Sequence, residues 1–303
     1  MRQASALPVA VRPVTSSELQ RILILGASGM MGNTILRVLS ASDGFEAWGT
    51  VRSREAADRL PHDLAPRIIE TVSCDDFGSI TAAIDAVNPH LVINCIGIVK
   101  QLAVAKDPLV TLPINALLPH QLARLLEPRG IRLIQLSSDC VFDGKGSMYT
   151  EADFASADDL YGRSKFLGEV DYPNAITLRT STIGHELGSH HGLLEWFLSQ
   201  AGSVRGFRRA IYTGISTPEF ARLIRDFVLP HPNLRGLFHV SGDPINKYDL
   251  LVLIREIYGK SIEITPEDSV AIDRSLDSSR FRDMTGYRPP SWRDQILDMH
   301  AFG

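Results

Sequence analysis

The sequence predicts a doubly wound α/β fold, a parallel sheet covered on both faces by helices. Two observations predict it. Short apolar runs alternate with helical patterns from residue 21 to about 170, and the first run ends in a glycine-rich turn that opens a helix. Such alternation implies crossover connections and a sheet buried on both sides.

Taken in order, "RILILGA" (21–27) reads as a buried strand and "GMMGNTILRVLSA" as the helix after it. "FEAWGTVRS" (45–53) is a second strand, "SITAAIDAVN" a helix, and "HLVINCIG" (90–97) a third strand. "INALLPHQLARLLEPRG" is a helix, "RLIQLSS" (132–138) a fourth strand, and "LYGRSKFLGEV" (160–170) a helix. No repeat or low-complexity segment interrupts the pattern, so no linker is expected before about residue 170.

The turn after the first strand carries Gly26, Gly29 and Gly32, a G-x-x-G-x-x-G. Glycines there let the backbone turn tightly and approach a pyrophosphate, which then sits at the positive end of the helix dipole. With Ser28, Met30 and Met31 they form the expected dinucleotide cradle of a Rossmann domain. The second strand ends in Arg52, with Arg54 close behind, where an NAD-selective chain usually has a carboxylate. A guanidinium grips the extra phosphate of NADP with paired hydrogen bonds, so NADPH is expected and NADH is the alternative. Cys95 and Gly97, both small, leave room for the cofactor across the sheet's carboxyl edge. Asn94 is read as tying down a turn. Asn115 either organises the active-site helix or caps a turn near Pro113.

The fourth strand brings Ser137 and Ser138 to that same edge, and Tyr161 and Lys165 share one helical face. Hydride reduction of a ketone leaves an alkoxide that needs a proton and stabilisation while it forms. A free phenol titrates near pH ~10, and a neighbouring ammonium lowers that value. Tyr161 is therefore the expected proton donor. Lys165 is expected to tune it and hold the nicotinamide ribose, and Ser138 to polarise the carbonyl.

The chain has 303 residues, 44% hydrophobic and 22% charged, close to an average soluble protein with a substantial core. Its net charge is −4 without a basic block, so neither nucleic acid nor a membrane surface is an expected partner. No apolar run approaches the ~20 residues that span a bilayer. Residues 1–20, broken by Pro8 and Pro13, read as a loose extension rather than a signal peptide. Cys74, Cys95 and Cys140 lie far apart, which suits reduced thiols in a cytoplasm. "GHELGSHHG" (184–192) lacks the H-E-x-x-H spacing of a zinc helix, so no metal is expected and the segment reads as a pocket-side loop. The expected organisation is a dinucleotide-binding domain over residues 21–170, with later strands returning to it, and a mainly substrate-binding region over 171–303.

"SSDCVFDGKGSMYTEADF" and "YGRSKFLGE" resemble the S-T-D-Y-V-F-D-G, Y-T-E and Y-G-x-S-K segments of extended short-chain dehydrogenase/reductases, most of all dTDP-4-dehydrorhamnose reductase and related nucleotide-sugar reductases. The resemblance covers about residues 21–300. It implies a triad of Ser138, Tyr161 and Lys165. "LRTSTIG" (178–184) is similar to the stretch lining the nicotinamide and substrate pocket, which points to Thr180 and Ser181. "GISTPEFARLI", "GLFHVSGDPINKYDLLVLI", "SLDSSRF" and "GYRPPSW" resemble the family's carboxyl-terminal pieces. Asp139 and Val141 follow the catalytic serine and join the expected substrate contacts, although Asp139, with Asp143, is also read as a turn-former. Arg205 and Arg208 either hold a nucleotide's pyrophosphate or belong to a solvated basic loop.

Two departures stand out. Cys140 replaces the family's Tyr, and "YTGISTPEF" lacks its Asp-Gln pair; both bear on which sugar is used. The resemblance implies stereospecific, NADPH-dependent reduction of a nucleotide-linked 4-keto-(deoxy)hexose, feeding a deoxysugar of a polysaccharide. A 4,6-dehydratase is discounted, because Cys140 stands where that enzyme has its Glu base. A 4-epimerase with retained NAD and a non-catalytic regulatory subunit of a methionine adenosyltransferase remain as alternatives, and a homodimer is left open.

Overall fold

The computed structural model of the protein describes residues 19–303. Most of the expected N-terminal extension, residues 1–18, lies outside the described residues, and Gln20 already belongs to the first strand. In chain order the strands are β1 (Gln20–Leu25), β2 (Phe45–Thr50), β3 (Ile68–Ile69), β4 (Leu91–Asn94), β5 (Arg132–Ser138) and β6 (Ala175–Thr180). They are followed by β7 (Thr182–Ile183), β8 (Ser203–Tyr212), β9 (Ile215–Ser216), β10 (Gly236–His239), β11 (Ile245–Asn246) and β12 (Glu263–Asp273).

The helices of the first half are α1 (Met30–Ser40), α2 (Arg54–Ala57), α3 (Phe77–Val87), α4 (Pro108–Leu112), α5 (Leu118–Leu126) and α6 (Leu160–Leu167). The second half adds α7 (Leu193–Ser199), α8 (Thr217–Leu223), α9 (Lys247–Ile257), α10 (Ser279–Thr285) and α11 (Trp292–Phe302). Among the described residues no helix is long and apolar enough to cross a membrane.

Among the described residues seven strands form one parallel sheet in the order β10-β6-β5-β4-β1-β2-β3. The α/β, doubly wound class expected from the sequence is what forms. Strand order reverses between β1 and β4, so a crevice opens beyond their carboxyl ends, where open α/β sheets bind ligands. Successive side chains of a strand point to opposite faces, and β1 uses both. Ile22 and Ile24 pack into the layer holding Ile35, Leu36 and Phe220, whereas Leu23 and Leu25 pack into the layer holding Ile80, Ile84 and Leu122. All four are fully buried, which is why the run is continuously apolar rather than alternating.

Among the boundaries that differ from the sequence expectation, two have plain local chemical reasons. The second strand stops at Thr50 because Ser53 caps α2, its hydroxyl accepting from the Ala56 N–H. The helix expected from residue 114 begins earlier, at Pro108, and passes through a π turn at 113–117 before α5. Pro113 brings no N–H to the helical ladder, so the chain widens there.

The second half contributes β6 and β10 to the main sheet, and then builds a layer of its own. There β8 pairs with β12 in parallel and β11 antiparallel, and Leu194, Phe197, Leu250, Ile254, Trp292 and Ile296 are buried together. An isolated bridge between Tyr149 and Leu276 ties this half to the loop that follows β5.

Candidate active site

The glycine turn is shaped by contact as much as by conformation. Gly26 has φ of 79°, in the left-handed region, and passes close to the Ile96 backbone after β4. A Cβ on Gly32 would overlap the Gly26 carbonyl oxygen, so Gly32 sets how closely α1 sits on the turn. Gly29 is the helix N-cap. It offers no side-chain acceptor to the first-turn N–H groups, and no acidic residue occupies that turn. A ready anion site at the head of α1 results.

In front of that turn lies a crevice of about 480 Å³. It is lined by Ser28, Gly29, Met30 and Met31 from the turn, Arg52 after β2, Cys95 and Gly97 after β4, Ser138 ending β5, Tyr161 and Lys165 of α6, and Thr180 ending β6. Gly26 lines an adjoining cavity of about 370 Å³ shared with Arg52, Cys95 and Gly97, walled by Val72, Ile98 and Leu102 with Asp75 at its edge. The donor set fits a dinucleotide: open backbone N–H groups, two guanidinium groups, an apolar slot, and glycines where side chains would fill the space. Arg54 turns away, paired with Asp58 and Glu70. Arg59, which sequence spacing does not single out, lines the crevice instead and packs beside Gly188 of the 184–192 loop.

At the other end, the Ser138 hydroxyl meets the Tyr161 phenol and also accepts the Cys140 N–H at 3.1 Å. Lys165 is buried, and its ammonium donates to the Leu136 carbonyl at 2.7 Å. Burial pulls its pKa down to about 8, against the attraction of Glu169 and Cys95. Tyr161 is pushed well above the ordinary phenol range, first by burial and next by Cys140, while the Ser138 hydrogen bond opposes the rise.

Helical spacing puts Lys165 on the face of Tyr161, and its amine also reaches the β5 carbonyl. The thiols are not activated: burial raises Cys95 and Cys140 to about 12.

Three supports hold the cluster. Asp159 caps α6, accepting from the Gly162 N–H at 2.7 Å, and pairs with Lys100 at 2.6 Å. A Cβ on Gly162 would overlap the Cys140 carbonyl and Ala157, so this glycine lets α6 lie directly on the Ser138–Cys140 turn. Asn115, in the π turn, is buried; its Oδ1 accepts from Ile98 N at 2.8 Å and its Nδ2 donates to Ser164 Oγ at 3.2 Å. It therefore ties the β4 loop to α6. Behind the site, Glu169 accepts from Ser137 at 2.6 Å and is gripped by Arg179, which in turn faces His239 at 3.1 Å.

Some expected contacts are not brought to the crevice. Gly32 lies beneath the turn, and Val141 is fully buried beside Phe142 and Leu276. Asp139 is buried, accepting from Ser138 Oγ at 3.1 Å, and Ser181 sits past the edge, where its carbonyl accepts from Ile215 N. Arg205 and Arg208 are both on exposed positions of β8; Arg208 is held by Asp268 and Arg205 sits over Phe207. Their strand is long and alternates, so its inward places go to Val204 and Ala210. The 184–192 loop forms one wall of the crevice, with Glu186 accepting from the Gly192 N–H and His185 bonded to Glu195 and Tyr258. Among the described residues no group of three His, Cys, Asp or Glu could hold a metal.

A family model described as RmlD substrate binding domain matches residues 20–301. The chain belongs to that family. The chain is 26% identical over 299 residues to the probable low-salt glycan biosynthesis reductase Agl14 of Haloferax volcanii, covering 92% of this chain and 96% of the relative. It is 25% identical over 254 residues to methionine adenosyltransferase 2 subunit beta of Mus musculus, covering 79% and 72%.

Among solved structures it superposes on dTDP-4-dehydrorhamnose reductase of Bacillus anthracis in complex with NADP, with a TM-score of 0.76, 18% identity, and coverage of 94% of this chain and 100% of that one. UDP-glucose 4-epimerase of Thermus thermophilus, in complex with NAD, gives 0.73 at 19% identity, with coverage of 92% and 97%. At these identities the superpositions speak for the fold. The expected membership of the extended short-chain dehydrogenase/reductases is borne out.

Proposed function

We propose that the protein reduces a nucleotide-linked 4-keto-(deoxy)hexose with NADPH as the hydride source. The observation that carries this reading is the meeting of the Ser138 hydroxyl and the Tyr161 phenol beside Lys165, in the crevice that begins at the Gly26–Gly32 turn. When bound, a dihydronicotinamide supplies hydride to the keto carbon. Tyr161, protonated at neutral pH, gives its proton to the keto oxygen, and Ser138 donates a hydrogen bond to that oxygen as charge grows on it. Lys165, charged below pH 8, would hold a ribose hydroxyl while keeping its contact with the Leu136 carbonyl. Arg52, with no carboxylate partner among the described residues, supports the choice of NADPH, since a guanidinium suits a phosphomonoester. The reductase among the relatives supports the reaction class.

A second reading is favoured by the methionine adenosyltransferase subunits among the relatives: a cofactor-binding regulator without turnover. A panel of nucleotide-linked 4-keto sugars with NADPH, followed at the nicotinamide absorbance, separates the readings. Stoichiometric loss of NADPH is expected, and Tyr161→Phe should lower the rate by a factor of about a hundred or more while leaving cofactor affinity intact. Interconversion of two sugars without cofactor loss would make the protein an epimerase. Tight NADP binding with every ketose inert would favour the regulator.

A further inference from the structure

One cation near the triad has no part in the chemistry above. Lys247 opens α9, and its ammonium lies 3.8 Å over the Tyr212 ring. It is close enough to Asp139 and Cys140, the two residues after Ser138, to interact with both electrostatically. Yet among the described residues no carboxylate comes within ion-pair distance of it and no oxygen accepts a hydrogen bond from it. An ammonium has three donors, and on this half-buried lysine, with no protein acceptor among the described residues, all three are open to the oxygens of a ligand.

Arg274 approaches the same turn. Its Nε donates to the Phe142 carbonyl at 2.7 Å, its terminal nitrogens have no protein acceptor among the described residues, and it too acts on Asp139 and Cys140. The negative groups nearby do not cancel this pair of cations. Asp159 is taken by Lys100, and Asp139, whose oxygen receives the Ser138 hydroxyl, is one carboxyl against two cations. By contrast Arg208, the strand residue that sequence pattern offers for a phosphate, is already satisfied by Asp268.

We propose that Lys247 and Arg274 anchor the diphosphate of the nucleotide-linked substrate, setting the attached sugar beside Ser138 and Tyr161. The inference rests on the nucleotide-sugar reading above. A guanidinium fork suits paired non-bridging phosphate oxygens, and an ammonium seated on an aromatic ring adds a second, compact charge.

The test is calorimetric titration of the full-length protein with UDP, dTDP, GDP and CDP as probes, and with NADP⁺ as the control for folding. At least one nucleoside diphosphate should bind. Lys247→Met, which keeps the packing on Tyr212, and Arg274→Met should each weaken that binding about tenfold to a hundredfold, the worth of a charge-assisted hydrogen bond, with NADP⁺ affinity unchanged. Lys247→Arg should retain most of it. In turnover, Lys247→Met should raise KM for the sugar nucleotide and spare kcat. If wild type binds none of the four probes, the nucleotide-sugar reading falls and takes this one with it. If wild type binds one and Lys247→Met binds it equally well, the anchor alone is refuted. A fall in kcat at unchanged KM would also refute it, marking Lys247 as a positioning residue acting through Asp139.

Discussion

Replacing Gly162 by alanine adds one methyl group to the triad's packing and removes no reactive group. That methyl would overlap the Cys140 carbonyl and the Ala157 side chain, neither of which is the loose end of a flexible chain. The helix and the turn must therefore separate, by about 1 Å. Overpacking of this kind costs about 1–3 kcal/mol, and the better helix propensity of alanine offsets up to about 1 kcal/mol of it. A net loss of about 1–2 kcal/mol remains. With an unfolding entropy of about 2.1 cal/mol/K per residue over this chain, the melting temperature should fall by about 2–3 °C. The catalytic effect should be larger. Tyr161 moves with α6 and Ser138 with the turn, and a misplacement of about 1 Å between them lowers turnover about a hundredfold. Thermal melts and NADPH-coupled turnover read both effects, and titration with NADP⁺ reports the cofactor site. A Gly162→Ala protein that melts and turns over like wild type would refute the claim that this contact sets the triad's spacing. Equal losses in NADP⁺ affinity and in turnover would place the damage elsewhere.

Two predictions concern pH. His239 is fully buried against Arg179, and burial first, then that guanidinium, pulls its pKa down to about 4. The unfolded chain takes up a proton at this residue below pH ~6.5 and the folded chain does not until about 4, so the unfolded state binds more protons across that window. Stability should be full above pH ~6.5 and fall by up to about 3 kcal/mol as pH drops to 4. Denaturant midpoints for wild type and His239→Gln should converge at low pH, and parallel curves would be evidence against it. Lys165 titrates at about 8, and its charged form is the one that binds an oxygen ligand. NADP⁺ affinity should thus hold steady to pH 8 and weaken above it. Lys165→Arg should abolish that limb; a limb that persists in the variant belongs to another group.

Much of the framework is legible in the chain because it rests on local pattern. Continuous apolar runs announce strands buried on both faces, and the glycine turn is set by contacts among neighbours in sequence. The meeting of Ser138 with Tyr161 and Lys165 also follows, since a strand end and a helical face have predictable directions. What stays hidden depends on partners distant in sequence. Arg208 finds Asp268 sixty residues on, Lys247 reaches back to the turn after β5, and Arg59 meets Gly188. Lys165 shows a subtler limit: spacing gives the face it occupies but not the carbonyl that takes its proton donor. Gly162 is invisible for the opposite reason, because the feature that matters is a missing atom.

The route of the main sheet has a practical corollary for dissecting the chain. The strand bearing Ser138 is flanked on its outer side by β6 and then β10, both delivered from beyond residue 170. A fragment halted after α6 would strip that flank and leave β5 as a naked border with a full row of unanswered N–H and C=O groups. Such a border recruits other chains, so the amino-terminal piece should be recovered as aggregate instead of as a small free-standing cofactor binder.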